Sequence, residues 1–302
     1  MKIRYIENSA VDLELWDALV RDSFNGSVFM SSWFLDIVCD GWAALVADNY
    51  KAVLPLPLKN ILGTNYVLMP WFMKWLKPVG NDLVRNDMGL FLSEIPFPVV
   101  RMDLPACVSL DGGLGVRAST KQGFKLDLIR SYSRNRAAYR GLFRASLVRA
   151  IAGGLSVQSG ISPLAFVEFM LRDAVLGEKM NQDLIAILRN LAVNCVRYKV
   201  GIVYGVYDRA NALCAAVLFA GSHNQFFVIC GAANAKGLET GAMYLLFDYF
   251  LEYHSELNIT LDLFGLDLPN LANFAGDLGA AAQPYLSFKS AKLPWLLKLF
   301  NV

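Results

Sequence analysis

The stretch GIVYGVYDRANALCAAVLFAGSHNQFFVICG, residues 201–231, reads as three β-strands joined by two tight turns. Its apolar runs, 201–207, 212–220 and 225–231, have strand length and are rich in Val, Ile, Phe and Tyr, which suit a pleated, buried surface. Between them stand Asp208-Arg209-Ala210-Asn211 and Ser222-His223-Asn224, polar groups short enough only to reverse the chain. The three runs therefore form an antiparallel meander.

Working outward, the segment 238–254 reads as a helix, 259–264 as a strand, 268–278 as a short helix and 283–289 as a last strand. On the other side, Ser162-Pro163 opens a helix with proline in its first turn, and Leu164, Val167, Leu171 and Ala174 share one face of it. Residues 181–199 form another helix, apolar at Leu184, Leu188, Leu191 and Cys195. A short strand at 155–158 precedes both. The order β, α, α, β, β, β, α, β, α, β predicts a mixed sheet in α+β style with αβα layers, because a meander is followed by right-handed βαβ crossovers.

Upstream, residues 133–151 read as one helix, capped by Ser131 or Ser133 and ended by Gly153-Gly154. It holds five arginines and no acidic residue. Arg136, Arg140 and Arg144 fall at i, i+4 and i+8, so in one helix they line one face. That face is either a phosphate track for tRNA, CoA or a lipid headgroup, or a solvated surface. The first half is less regular, with strands expected at 2–7, 99–104 and 124–129, helices at 11–21 and 29–39, and a hairpin of 42–47 with 51–57. The cluster Asp111-Gly112-Gly113-Leu114-Gly115 lacks a following helix and reads as a loop. Two domains are expected, 1–152 and 153–302.

The 302 residues are 55% hydrophobic and 18% charged, which excludes a disordered chain. Mean hydropathy is +0.39, yet no apolar run reaches the ~18–20 residues of a spanning helix. Residues 1–6 hold no signal-like apolar core, so a cytoplasmic protein is expected. The formal charge of +2 gives no global attraction to nucleic acid, and DNA is not an expected partner. Cys39, Cys107, Cys195, Cys214 and Cys230 are spaced as buried thiols, and His223 and His254 have no second ligand at helical spacing, so no metal site is expected. The lysine-bearing aromatic segment 71–77 and the tail 293–300 would rest on a membrane surface or be buried at a domain or oligomer interface. Burial is the simpler reading.

The element order resembles the GNAT acyltransferase fold. Ser131-Tyr132-Ser133-Arg134-Asn135-Arg136 is similar to the YSxNxRR region of FemAB-like proteins. Leu261-Asp262-Leu263-Phe264-Gly265 is similar to their L-D-F-E-G-S stretch, and residues 271–280 to their L-A-x-F-Y-x-x-F-G-A. FemAB-like proteins carry two GNAT-like domains in tandem, so the first half would be a diverged copy. The resemblance implies an N-acyltransferase with acyl-CoA or aminoacyl-tRNA as co-substrate, a small amine or peptide as acceptor, and no covalently held cofactor. The donor's arm would lie along Phe227, Val228, Ile229, Cys230 and Gly231. Its phosphates would meet Asn234, Lys236, Gly237 and Gly241, with Lys236 adding a cation, and the acceptor would enter near Asp262, Tyr285 and the face of Arg136, Arg140 and Arg144.

The same comparison shows departures. Where the family carries a tyrosine on the last short helix, this chain has Ala275. Phe264 and Leu266 replace the glutamate and serine of the L-D-F-E-G-S stretch. Asp262 and Tyr285 remain as the expected catalytic groups. The alternative is a module that kept the fold and lost the chemistry, serving in binding or assembly at a membrane face.

Overall fold

The computed structural model describes residues 1–81, 87–106, 116–172, 180–266 and 268–290. The loop 111–115, Cys107, the helical positions 174–175 and the tail 293–300 lie outside these. The chain forms two compact units, Met1–Gln122 with Pro284–Val302, and Gly123–Gln283.

In the first unit, β1 (Ile3–Glu7) leads to α1 (Leu13–Asp22), α2 (Ser32–Val38), β2 (Gly41–Ala47), β3 (Ala52–Ile61), β4 (Thr64–Leu68), α3 (Asp87–Ser93) and β5 (Val99–Pro105). Asp12 caps α1 by accepting from the Leu15 N–H at 3.1 Å. The helix expected at 29–39 is interrupted. Val28–Met30 form a single 3₁₀ turn, and α2 starts again at Ser32, whose N–H and hydroxyl both bond the Asp17 carboxylate. Trp16 is fully buried, with its indole N–H donating to the Met30 carbonyl at 2.7 Å. The hairpin of β2 and β3 forms as expected, turning at Asp48, Asn49 and Tyr50 with positive φ. Strand β4 was not expected. Residues 72–76 of the aromatic segment are buried and Trp71 is exposed.

β6 (Val116–Asp127) carries the chain into the second unit. There follow α4 (Tyr132–Ala138), α5 (Gly141–Ala152), β7 (Ser156–Ser159), α6 (Pro163–Arg172), α7 (Gln182–Arg197), β8 (Gly201–Tyr207), β9 (Leu213–Ser222) and β10 (Gln225–Ala233). Then come α8 (Ala235–Thr240), α9 (Ala242–His254), β11 (Thr260–Asp262), α10 (Leu271–Leu278) and β12 (Ala281–Ser290). The expected boundary at 152/153 falls inside this unit. The reason is packing: Phe143 of α5 is fully buried against Phe274 of α10, ring centroids 5.4 Å apart, so α5 cannot belong to a separate first domain.

The two units repeat one topology. In the first, the strands run β1-β2-β3-β4-β5-β12, antiparallel throughout except for the β4–β5 pair. In the second they run β7-β8-β9-β10-β11-β6, antiparallel except for β10–β11. Each unit places two helices after its first strand, then a three-stranded meander, then a helical crossover into the one parallel pair. A parallel pair requires such a crossover. Each then borrows its sixth strand from a distant part of the chain.

Two helices read as continuous are broken. Residues 132–152 form α4 and α5, with Tyr139 and Arg140 extended between them. The Arg140 N–H donates to the Asp277 carbonyl at 2.9 Å, and the Asp277 carboxylate accepts from the N–H groups of Leu142 and Phe143 at 2.9 and 3.4 Å. Asp277 thus caps α5 from another helix, a role the sequence assigned to Ser131 or Ser133 at the head of a single helix. Ser131 is the N-cap residue of α4, but its hydroxyl lies 3.1 Å from that of Ser133. The second break is at Gly241, whose φ of +82° ends α8 and starts α9.

Candidate functional site

β10 and β11 pair for three rungs only, Gln225 with Thr260, Phe226 with Leu261 and Phe227 with Asp262. β11 stops at Asp262 while β10 runs on to Ala233, and a bulge at Val228/Cys230 shifts β10 against β9. This is the parting of two central strands in which the resemblance would lay a thioester's pantetheine arm. The chain itself enters it. The Gly265 N–H donates to the Val228 carbonyl at 2.8 Å, and the Gly265 carbonyl accepts from the Gly231 N–H at 3.1 Å. A Cβ at Gly265 would stand 2.0 Å from the Ile229 carbonyl oxygen, so only glycine approaches β10 this closely. Leu266 then bridges to Gly231.

Of the residues expected to hold a donor, Phe227, Val228, Ile229, Cys230 and Gly231 are all buried on β10. The Asn234 side chain accepts from the Gly237 N–H at 2.8 Å and donates to the Leu213 carbonyl at 3.2 Å. It thereby caps α8 and ties it to β9. A Cβ on Gly237 would meet the Cys214 carbonyl oxygen at 2.2 Å, which fixes the close helix–strand contact. Lys236 is paired with Asp208, whose carboxylate also accepts from the N–H groups of Ala210 and Ala212. That lysine and those two amides hold the Asp208 carboxyl below the usual range.

Asp262 is fully buried at the end of β11 and pairs across the ladder with Lys125 of β6, so the two side chains share a face of the sheet. Tyr285 belongs to the first unit, where it pairs with Pro105 of β5. Burial, and next the charge of Asp103, push its phenol upward, while Arg101 opposes. Arg136, Arg140 and Arg144 do not form a row, because the break between α4 and α5 separates them. Arg136 lies 4.0 Å from Asp248, and Arg144 donates to the Ala137 carbonyl at 3.2 Å. Ala275 and Leu266 are buried in the core with Phe274 and Leu278, which explains why apolar groups stand there.

A cleft of about 470 Å³ opens within the second unit, where Lys125 and Asp127 of β6 meet Arg130, Asn135, Thr260 and Gln283. The sequence did not signal this cleft, because its lining comes from the separate stretches 125–130, 135–138, 260 and 278–283. Burial pushes the Lys125 ammonium down, and Asp127 opposes that shift. Among the described residues no cluster of His, Cys, Asp or Glu is arranged to hold a metal, and no helix is long and apolar enough to cross a membrane.

No family model and no curated protein matches the sequence. Solved structures do. The fold is FemX-like. FemX is matched with a TM-score of 0.65 over 95% of this chain and 97% of its own, at 11% identity. L-PGS from Bacillus licheniformis gives 0.56 over 93% and 92%, at 11% identity. The C-terminal domain of a lysylphosphatidylglycerol synthetase from Agrobacterium fabrum gives 0.55 over 96% and 95%, at 11% identity. At such identity the likeness is one of fold, and it bears out the expected fold class and FemAB-like resemblance at that level.

Proposed function

We propose that the protein is an acyltransferase that moves an aminoacyl group from an ester donor to an amine. The observation that carries this reading is the end-to-end likeness to FemX, in which both topological repeats have counterparts. The lysylphosphatidylglycerol synthetase domain adds a protein whose name describes attachment of a lysyl group. Gly265 favours the ester donor over acyl-CoA, because it takes the Val228 carbonyl and Gly231 N–H along which a pantetheine arm would lie.

In this reaction the acceptor nitrogen attacks the ester carbonyl carbon. The carbon–oxygen bond to the donor breaks, the departing oxygen takes a proton, and the nitrogen loses one. Asp262 is the proposed proton acceptor, since its carboxylate is buried where β11 ends and ligands in α/β sheets gather at such strand ends. Arg136, Arg140 and Arg144 are proposed to meet donor phosphates individually. Cytoplasmic location and contact with tRNA belong to the same proposal.

The test is single-turnover transfer from labelled aminoacyl-tRNA to a small amine. Transfer is expected, reduced by about 10²–10⁴ in Asp262→Asn as for loss of a general base. Binding of the donor without transfer under any acceptor would instead favour a binding module that kept the fold alone.

A further inference from the structure

We propose that the cleft of the second unit binds a small hydroxylated oxyanion, a polyol phosphate or polyhydroxy acid. This inference does not depend on the acyl-transfer reading.

Two cations reach the cleft, Lys125 from its wall and Arg130 from its exposed rim. Among the described residues neither has a carboxylate within ion-pair distance. The Asp127 charge only partly offsets the burial of the Lys125 ammonium and forms no ion pair with it, and an oxyanion in the cleft would supply that pair. Lysine offers a point charge and arginine a planar fork, a pairing suited to phosphate or carboxylate oxygens. The loop carrying Arg130 is fixed from below: the buried Asn135 amide donates to the Arg130 carbonyl at 3.4 Å and to the Ser255 hydroxyl at 3.1 Å.

The rest of the lining asks for hydroxyl groups. The Thr260 hydroxyl and the Gln283 amide oxygen are buried at the wall with no hydrogen-bond partner. Buried polar atoms in native proteins are almost always partnered, so two orphans in one wall mark a place where a ligand or ordered water belongs. Asp127 uses one carboxylate oxygen to accept from the Ile129 N–H at 3.0 Å, and its other oxygen has no partner among the described residues. Among the described residues no aromatic side chain lines the cleft, so none of them stacks a nucleobase there. Its volume of about 470 Å³ suits a six-carbon polyol derivative.

Calorimetry on the full chain with sorbitol 6-phosphate, gluconate and sorbitol decides the matter. One or both anions should bind, the pair of titrations telling phosphate from carboxylate, and sorbitol should not. Arg130→Ala and Lys125→Ala should each weaken that binding at least about tenfold, and Lys125→Arg should largely restore it. Arg130 is exposed, so its variant reports on binding even if changes at Lys125 disturb the strand. The proposal is overturned if neither anion binds at about 10 mM, if sorbitol binds equally well, or if Arg130→Ala leaves the affinity unchanged.

Discussion

Gly265 decides more than any other single residue, because its backbone takes up hydrogen-bonding groups that β10 would otherwise offer to a ligand. Replacing it with alanine puts a methyl 2.0 Å from the Ile229 carbonyl oxygen, a backbone atom with little freedom to yield. Gly265→Ala should cost about 1–3 kcal/mol or more, as overpacking does, read as a lower Tm. An unchanged Tm would mean that the glycine does not approach β10 as described. Asp277 is the second such residue. Asp277→Ala removes both side-chain bonds at the head of α5 and should cost about 0.5–2 kcal/mol, the range for a lost N-cap. Denaturant unfolding measures it, and Asp277→Asn should recover part of the loss. Neither role was legible in the sequence. Gly265 sat in a motif whose family meaning lay elsewhere, and Asp277 caps a helix 135 residues away.

At the scale of elements, the meander 201–231 was readable almost to the residue. Alternating apolar runs and compact polar turns are local signals, and β8, β9 and β10 follow them. The helix breaks were not readable. Residues 133–151 have helical spacing throughout, and what parts α4 from α5 is a tertiary bond from the Arg140 N–H to the Asp277 carbonyl. The arginine row failed with that helix. α9 carries a prediction of its own. His254 closes it, 3.3 Å from the Tyr204 hydroxyl and against the rings of Phe226 and Phe250, and burial pushes its imidazole below the ordinary value of 6.5. The unfolded chain therefore binds more protons than the folded one as pH drops below about 6.5, so stability falls in that direction. Thermal unfolding between about pH 7 and 5 should show the decline. His254→Phe should flatten it, whereas an identical decline in that variant would remove His254 as its source.

At the scale of the molecule, one topology is used twice. The repeat left no sequence period, because the pattern lies in strand order and direction while side chains diverged. The second copy was legible through its element order, the first only as scattered strands, with β4 missed altogether. The architecture hosts many activities, so the proposed one has to be tested at the site. The central claim is therefore the donor. Filter retention with aminoacyl-tRNA, set beside calorimetry with acyl-CoA on the same preparation, tests it directly. The account predicts retention of aminoacyl-tRNA at about micromolar concentration and no acyl-CoA heat at about millimolar. Tight acyl-CoA binding, or retention of neither donor, would contradict it.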